Sequence, residues 1–196
     1  MPELLTQGGM LLQNTIFSIG HSNLPWEHFR SLLERSDIGV VLDVRSNPRS
    51  RLHYFNQHKL RYWLNGIGIS YLYLGDQLGG RPASGTINYE TMAETVSFAQ
   101  GIARVLEIAP RCRPVLMCSE HEPLECHRCL LVGRQLVEQC NANVAHILRN
   151  GRIEPHKDTE DRLLAKWRVG SDLFQTRAER LNVTYRLQAR KLGVEA

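Results

Sequence analysis

Residues 15–45 read TIFSIGHSNLPWEHFRSLLERSDIGVVLDVR, and this stretch decides the fold. Its first six residues form a short apolar run stopped by Gly20, which is how a buried strand reads. Pro25 suits the first turn of a helix, and Trp26, Phe29 and Leu33 recur at the spacing that places one apolar stripe on one face. A second run, 40–45 (VVLDVR), is short and β-branched, as a sheet strand should be.

Outward from this stretch the pattern repeats. Ser46-Asn47-Pro48 reads as a turn, and Asn56 can cap a helix carrying Leu60, Trp63 and Leu64 that Gly66 and Gly68 end. Residues 69–74 (ISYLYL) make a third strand. A loop rich in Gly and Pro, 75–85, leads to one long helix over 89–109, stopped by Pro110. Then come a fourth strand at 114–118 (PVLMC), a polar turn at 119–125, a helix over 126–140 and a fifth strand at 144–148 (VAHIL). Helices over 154–167 and 171–190 finish the chain.

Strands alternating with helices imply right-handed crossovers and a parallel sheet covered on both faces. The expected class is therefore α/β: a Rossmann-like three-layer sandwich with a mostly parallel sheet of about five strands and a helical C-terminal extension. Residues 1–14 are expected as a leader, 15–170 as a single α/β domain and 171–196 as the extension. Residues 18–23 (SIGHSN) hold one glycine, so the dinucleotide fingerprint is missing, as is a Walker A motif. No cofactor is expected.

Composition narrows the classes. The chain has 196 residues, 42% hydrophobic and 22% charged, a globular balance that excludes wholesale disorder. No apolar run reaches the ~18 residues of a membrane span, and residues 1–13 lack the basic start of a secretory signal. A cytoplasmic location is expected, with no membrane partner. The five cysteines are an odd number, read as thiols or ligands rather than as a disulfide framework. Net charge is only +4, but residues 44–75 contain no acid and five cations: Arg45, Arg49, Arg51, Lys59 and Arg61. That block points to an anionic ligand, a small molecule or nucleotide, with nucleic acid or a merely solvated basic face as alternatives.

In an open parallel sheet, ligands sit beyond the carboxyl ends of the strands. There this sequence carries His21 and Ser22, then Asp43 and Arg45 with Arg49 and Ser50 beyond, then Arg81, then Cys118, Glu120 and, at the next helix start, His127 and Arg128. Cys118, near helix N-termini and arginines, reads as an activated nucleophile or as a small apolar residue completing its strand. Its distance from Arg128 is too long for a phosphatase-type cysteine loop. Glu120 is the candidate acid or base, and His21 with Asp43 a proton-handling pair. Asp43 paired with an Arg that merely positions a loop reads equally well. Ser22, Arg45, Arg49, Ser50, Arg81, His127 and Arg128 are the candidate ligand-binding residues. No metal site is expected; the weaker alternative is a metal held by Cys118, Cys126, His127 and Cys129, against which only one CxxC pair is present and Cys129 shares a helical stripe with Val132 and Leu136. Tyr54, Phe55, Tyr62 and Trp63 lie among the cations, a pattern that stacks bases, although aromatics at helical spacing also build cores.

Four blocks in order, Ile19-Gly20-His21-Ser22, Asp43-Val44-Arg45-Ser46-Asn47-Pro48-Arg49-Ser50, Leu78-Gly79-Gly80-Arg81, and Cys118-Ser119-Glu120 followed by Cys126-His127-Arg128, resemble the motifs of the domain of unknown function 488 family. The resemblance covers residues 15–148 and implies a compact α/β domain with clustered polar motifs, but no activity. From the residues, the first expectation is an enzyme, a hydrolase or transferase, acting on a phosphorylated or nucleotide-like ligand at the strand rim. The rivals are a nucleic-acid or nucleotide binding module without catalysis and a metal-binding Cys/His interaction domain.

Overall fold

The computed structural model describes residues 14–82, 85–169 and 175–195. Six strands make one sheet among these residues: β1 (Ile16–Gly20), β2 (Val40–Asp43), β3 (Ser70–Tyr73), β4 (Pro114–Cys118), β5 (Val144–Ile147) and β6 (Ile153–Pro155), in the order β3-β2-β4-β1-β5-β6. All neighbours are parallel except β5 and β6. The α/β sandwich expected from the sequence is the observed class. No helix among the described residues is long and apolar enough to cross a membrane.

Alternation along the strands sorts the core. Phe17, Ile19, Val41, Val115 and Met117 face α1 (Trp26–Arg35) and α2 (Gln57–Asn65), packing on Phe29, Leu33, Leu60 and Leu64. Ile16, Leu42 and Leu116 face the other way, against Phe98, Ile102, Val105, Val132 and Leu136. The helices on the first face carry the chain outward from β1 to β2 and β3. Those on the second bring it back to β4 and on to β5, as right-handed crossovers require. β4 is thus inserted between β1 and β2 and leaves to the face opposite both, which opens a crevice at its carboxyl end.

Local chemistry explains where the elements differ from the sequence expectation. The single helix over 89–109 is two, α4 (Tyr89–Ala93) and α5 (Val96–Ile108), because each has its own cap: Asn88 Oδ1 accepts from the amides of Glu90 and Thr91, and Thr95 Oγ1 from that of Phe98. The preceding loop holds a further turn, α3 (Gly75–Leu78). The helix after β4 opens with a wide π turn, Arg128–Gly133, before α6 (Arg134–Glu138). Short β6 has only three residues, too few for a periodic signal, and follows a tight turn with Gly151 at φ 83°. α7 accordingly begins at His156 (His156–Lys166) rather than at residue 154. The final helix, α8 (Arg177–Lys191), starts at a capping box of Thr176 and Glu179. Residues 1–13 of the expected leader, and 170–174 with the expected start of the last helix, lie outside the described residues. Leu181 and Tyr185 of α8 share a third core with Leu163 and Leu164 of α7 and with Leu124, Cys129 and Leu130.

Candidate functional site

β2 ends in a buried ion pair. Arg45 Nε and NH2 donate to the two carboxylate oxygens of Asp43 at 2.8 and 2.6 Å, and Tyr71 Oη donates to the same group at 2.7 Å. NH1 of Arg45 donates to Phe55 O and to His21 Nε2, so His21 keeps its proton on Nδ1, donated to Ser22 O. His21 stacks on Phe55 with ring centroids 4.1 Å apart. Burial first, and then the Arg45 charge, pull its pKa down to about 4. Arg45 therefore stands between His21 and Asp43.

The loop after β4 is held from below by Arg128, which is fully buried at the helix start. Its NH1 and NH2 donate to the carbonyls of Glu120 and His121, and its Nε to Ser18 Oγ. Gly20 must be glycine here: a Cβ would lie 1.7 Å from Glu120 O. From Ser18 a buried relay runs away from the rim. Ser18 Oγ meets His146 Nδ1 at 2.7 Å, His146 Nε2 meets His156 Nδ1 at 3.1 Å, and His156 Nε2 meets Tyr185 Oη at 3.0 Å. Tyr185 in turn donates to Glu160. An ionised carboxylate can only accept, so every hydrogen points from Arg128 towards Glu160, and both imidazoles are neutral. Burial lowers both: His156 falls to about 4, and His146 well below its ordinary range.

Above the loop, four side chains converge. The thiols of Cys118 and Cys126 approach Glu120 Oε2 at 3.1 and 3.2 Å, and His127 Nδ1 at 3.8 and 3.9 Å. His127 Nε2 lies 2.9 Å from Val44 O; a carbonyl only accepts, so the Nε2 hydrogen is committed there and Nδ1 faces the sulfurs. The Gly79-Gly80 turn presses on that imidazole, since a Cβ on Gly80 would lie 2.5 Å from His127 Cγ. Burial alone would raise Cys126, but the hydrogen bond from Cys118 and the charges of Arg128 and His127 hold it well below the ordinary thiol range. The bond to Cys126, together with burial, pushes Cys118 well above it. Burial and the neighbouring Cys126 raise Glu120.

These groups floor a cleft of about 380 Å³ whose rim includes Arg49, Arg81, Tyr89, Leu192 and Val194. Arg49 and Arg81 are exposed and, among the described residues, neither is paired with a carboxylate. Of the candidates read from the sequence, the cleft gathers Arg45, Arg49, Arg81, Cys118, Glu120 and His127. His21, Asp43 and Arg128 lie beneath it. Ser22 sits at φ 42° with its amide on Ser119 O, and Ser50 Oγ accepts from Leu52, so both shape loops beside the cleft. Cys129 is elsewhere, grouped with His146 and His156.

Sequence reasoning missed Tyr89, Leu192 and Val194. Glu195 N reaches Ile87 O at 2.8 Å, which brings the chain end back as a cleft wall, and no motif announces such a contact. Cys126 was legible: a CxE block followed by CHR sets its thiol on a helix start facing the strand end.

A family model described as Domain of unknown function DUF488 matches residues 25–135, more than half of the chain. The match takes in the Asp43–Ser50, Leu78–Arg81 and Cys118–Arg128 blocks and begins after Ser22. No curated protein and no solved structure matches the chain.

Proposed function

The chain belongs to the DUF488 family, and from its site we propose that it is an enzyme acting on a phosphate-bearing small molecule in the rim cleft, by hydrolysis or group transfer. One observation carries this reading: two guanidiniums without carboxylate partners among the described residues, Arg49 and Arg81, open onto the same cleft as a thiol, imidazole and carboxylate cluster. Forked guanidinium donors match phosphate oxygens, and a volume of about 380 Å³ suits a metabolite or a mononucleotide. Arg45 and Arg128 have other work. Their donors are committed to Asp43, Phe55 and the 120–121 backbone, so they supply positive potential and rigidity rather than ligand contacts. Glu120, exposed at the cleft and raised by burial of its carboxyl, is the group to exchange a proton with the ligand. A cytoplasmic setting suits reduced thiols of this kind.

The nucleic-acid alternative has less support. Tyr54 and Trp63 stack on each other at 5.8 Å, Trp63 meets Trp26 edge-on at 4.9 Å, and Phe55 is fully buried. Rings used in this way offer no stacking platform for bases.

The test is thermal denaturation with inorganic phosphate, pyrophosphate and nucleoside monophosphates, comparing the parent chain with Arg49→Ala/Arg81→Ala. A ligand at a hundred times its Kd stabilises by about 2.7 kcal/mol. The expected result is such a rise in the parent and its loss in the double variant. Equal stabilisation of both, or none in the parent, would reject the reading.

A further inference from the structure

We propose that Cys118, Cys126 and His127 form a binding site for one zinc-class divalent cation at the floor of the cleft, with the Glu120 carboxylate beside its fourth position. The donor set is the first argument. Two thiols and an imidazole are ligand types that zinc takes, and three protein ligands leave a tetrahedral fourth position for water or substrate. Ligand bonds of about 2.0–2.3 Å in that geometry separate donor atoms by roughly 3.5–3.8 Å. Here nitrogen and sulfur lie 3.8 and 3.9 Å apart, the sulfurs and Nδ1 are mutually within 4.8 Å, and Glu120 Oε2 lies 3.1 and 3.2 Å from the sulfurs. The nitrogen-to-sulfur edges therefore need shifts of only a few tenths of an ångström to close on an ion.

Orientation is the second argument. A ligating histidine characteristically gives its other ring hydrogen to a carbonyl or carboxylate, which fixes its tautomer. His127 does this with Val44 O, and Gly80 lies against its ring. Charge is the third. Two thiolates and a carboxylate around a dication leave one negative charge, and the Arg128 guanidinium, buried next along the chain, offsets it.

The other cysteine and histidine group among the described residues offers no such site. In Cys129, His146 and His156 each imidazole nitrogen already has a hydrogen-bond partner in the relay to Tyr185, so no lone pair remains for an ion. The site lacks Cys129 of the Cys118, Cys126, His127 and Cys129 set that the sequence offers. All three ligands are buried, and the fourth position faces Glu120 and the cleft. A structural zinc is closed all round, whereas a catalytic one keeps a position open to water or substrate. The placement is of the second kind. That last step, an ion acting on the ligand held by Arg49 and Arg81, rests on the function proposed above; ion binding itself does not.

The experiment uses the full chain purified under reducing conditions without chelators. Elemental analysis should find stoichiometric zinc, lost in Cys126→Ser and His127→Ala and kept in Cys129→Ala. Since the first two variants could unfold, the parent chain is also stripped, checked for retained fold by circular dichroism and titrated with Co²⁺. Thiolate-to-cobalt charge-transfer absorption saturating at one ion per chain supports the site, and so does its persistence in Glu120→Gln, where both sulfurs remain. A folded, reduced parent chain that is metal-free as purified and gives no such absorption with excess Co²⁺ overturns it. The two readings fail separately. Phosphate stabilisation without cobalt uptake rejects only the ion site, and cobalt uptake without phosphate stabilisation rejects only the anion reading.

Discussion

Arg128 and Arg49 are the same residue type, yet one is buried and spent on the fold while the other, among the described residues, opens on the cleft without a carboxylate partner. Arg128 spends its guanidinium on two loop carbonyls and a serine hydroxyl, a forked arrangement that a point-charge ammonium cannot copy. Arg128→Lys should therefore lower stability by about 2–3 kcal/mol through unsatisfied buried acceptors, read as a shift in the urea midpoint; an unchanged midpoint would sink the clamp. Asp43→Asn should cost more, about 3–5 kcal/mol, because it strands the buried Arg45 charge. The sequence made the whole basic block legible but not this division of labour. Which guanidinium is spent depends on carbonyls that only tertiary folding brings near: Glu120 for Arg128, Phe55 for Arg45. Cys118, Glu120 and His127 were legible as neighbours because one turn and one helix start carry them all.

At the scale of elements, strand and helix positions were readable wherever the apolar period was long, and failed where a polar contact or brevity decided. Asn88 and Thr95 carry cap chemistry that splits a helix, although the apolar period runs across both. β6 is held by its pairing with β5 rather than by any pattern of its own. The relay through His146 and His156 ties α7 and α8 to the sheet, and it carries two predictions. Tyr185→Phe removes one member and should cost about 1–2 kcal/mol while leaving helicity intact by circular dichroism. The pH dependence follows from His156. Its folded pKa of about 4 lies below the ordinary 6.5, so as pH falls from 6.5 towards 4 the unfolded chain takes up a proton that the folded chain refuses. Stability contributed by keeping this group neutral is present above pH 6.5 and declines by about 3 kcal/mol on reaching pH 4. Urea unfolding at pH 7 and pH 4.5 should therefore show a smaller loss in His156→Gln than in the parent; equal losses would contradict the assignment.

For the molecule as a whole, the alternation of strands and helices was enough to foresee the sandwich and the end of the sheet where polar residues gather. The closing of the cleft by Leu192 and Val194 was not, since it joins the chain end to residues near Ile87 through a backbone contact with no side-chain code. Leu181 and Tyr185 share their core with α7 and with Leu130 after β4, so the C-terminal extension and the α/β body should melt as one unit. Tryptophan fluorescence and far-ultraviolet circular dichroism are expected to give coincident transitions, and Leu181→Ala should shift both together by about 5–15 °C. Two separated transitions would show the extension to be independent. The sheet order has a consequence for synthesis. β1 pairs with β4 and β5, so once made it waits, unpartnered on both edges, for nearly a hundred residues. β2 and β3 can join each other meanwhile, but the slot between them and β1 stays vacant until Pro114–Cys118 is made. Nascent chains halted before that point expose both edges of β1 and one of β2, making this interval the one in which a chaperone has most to shield.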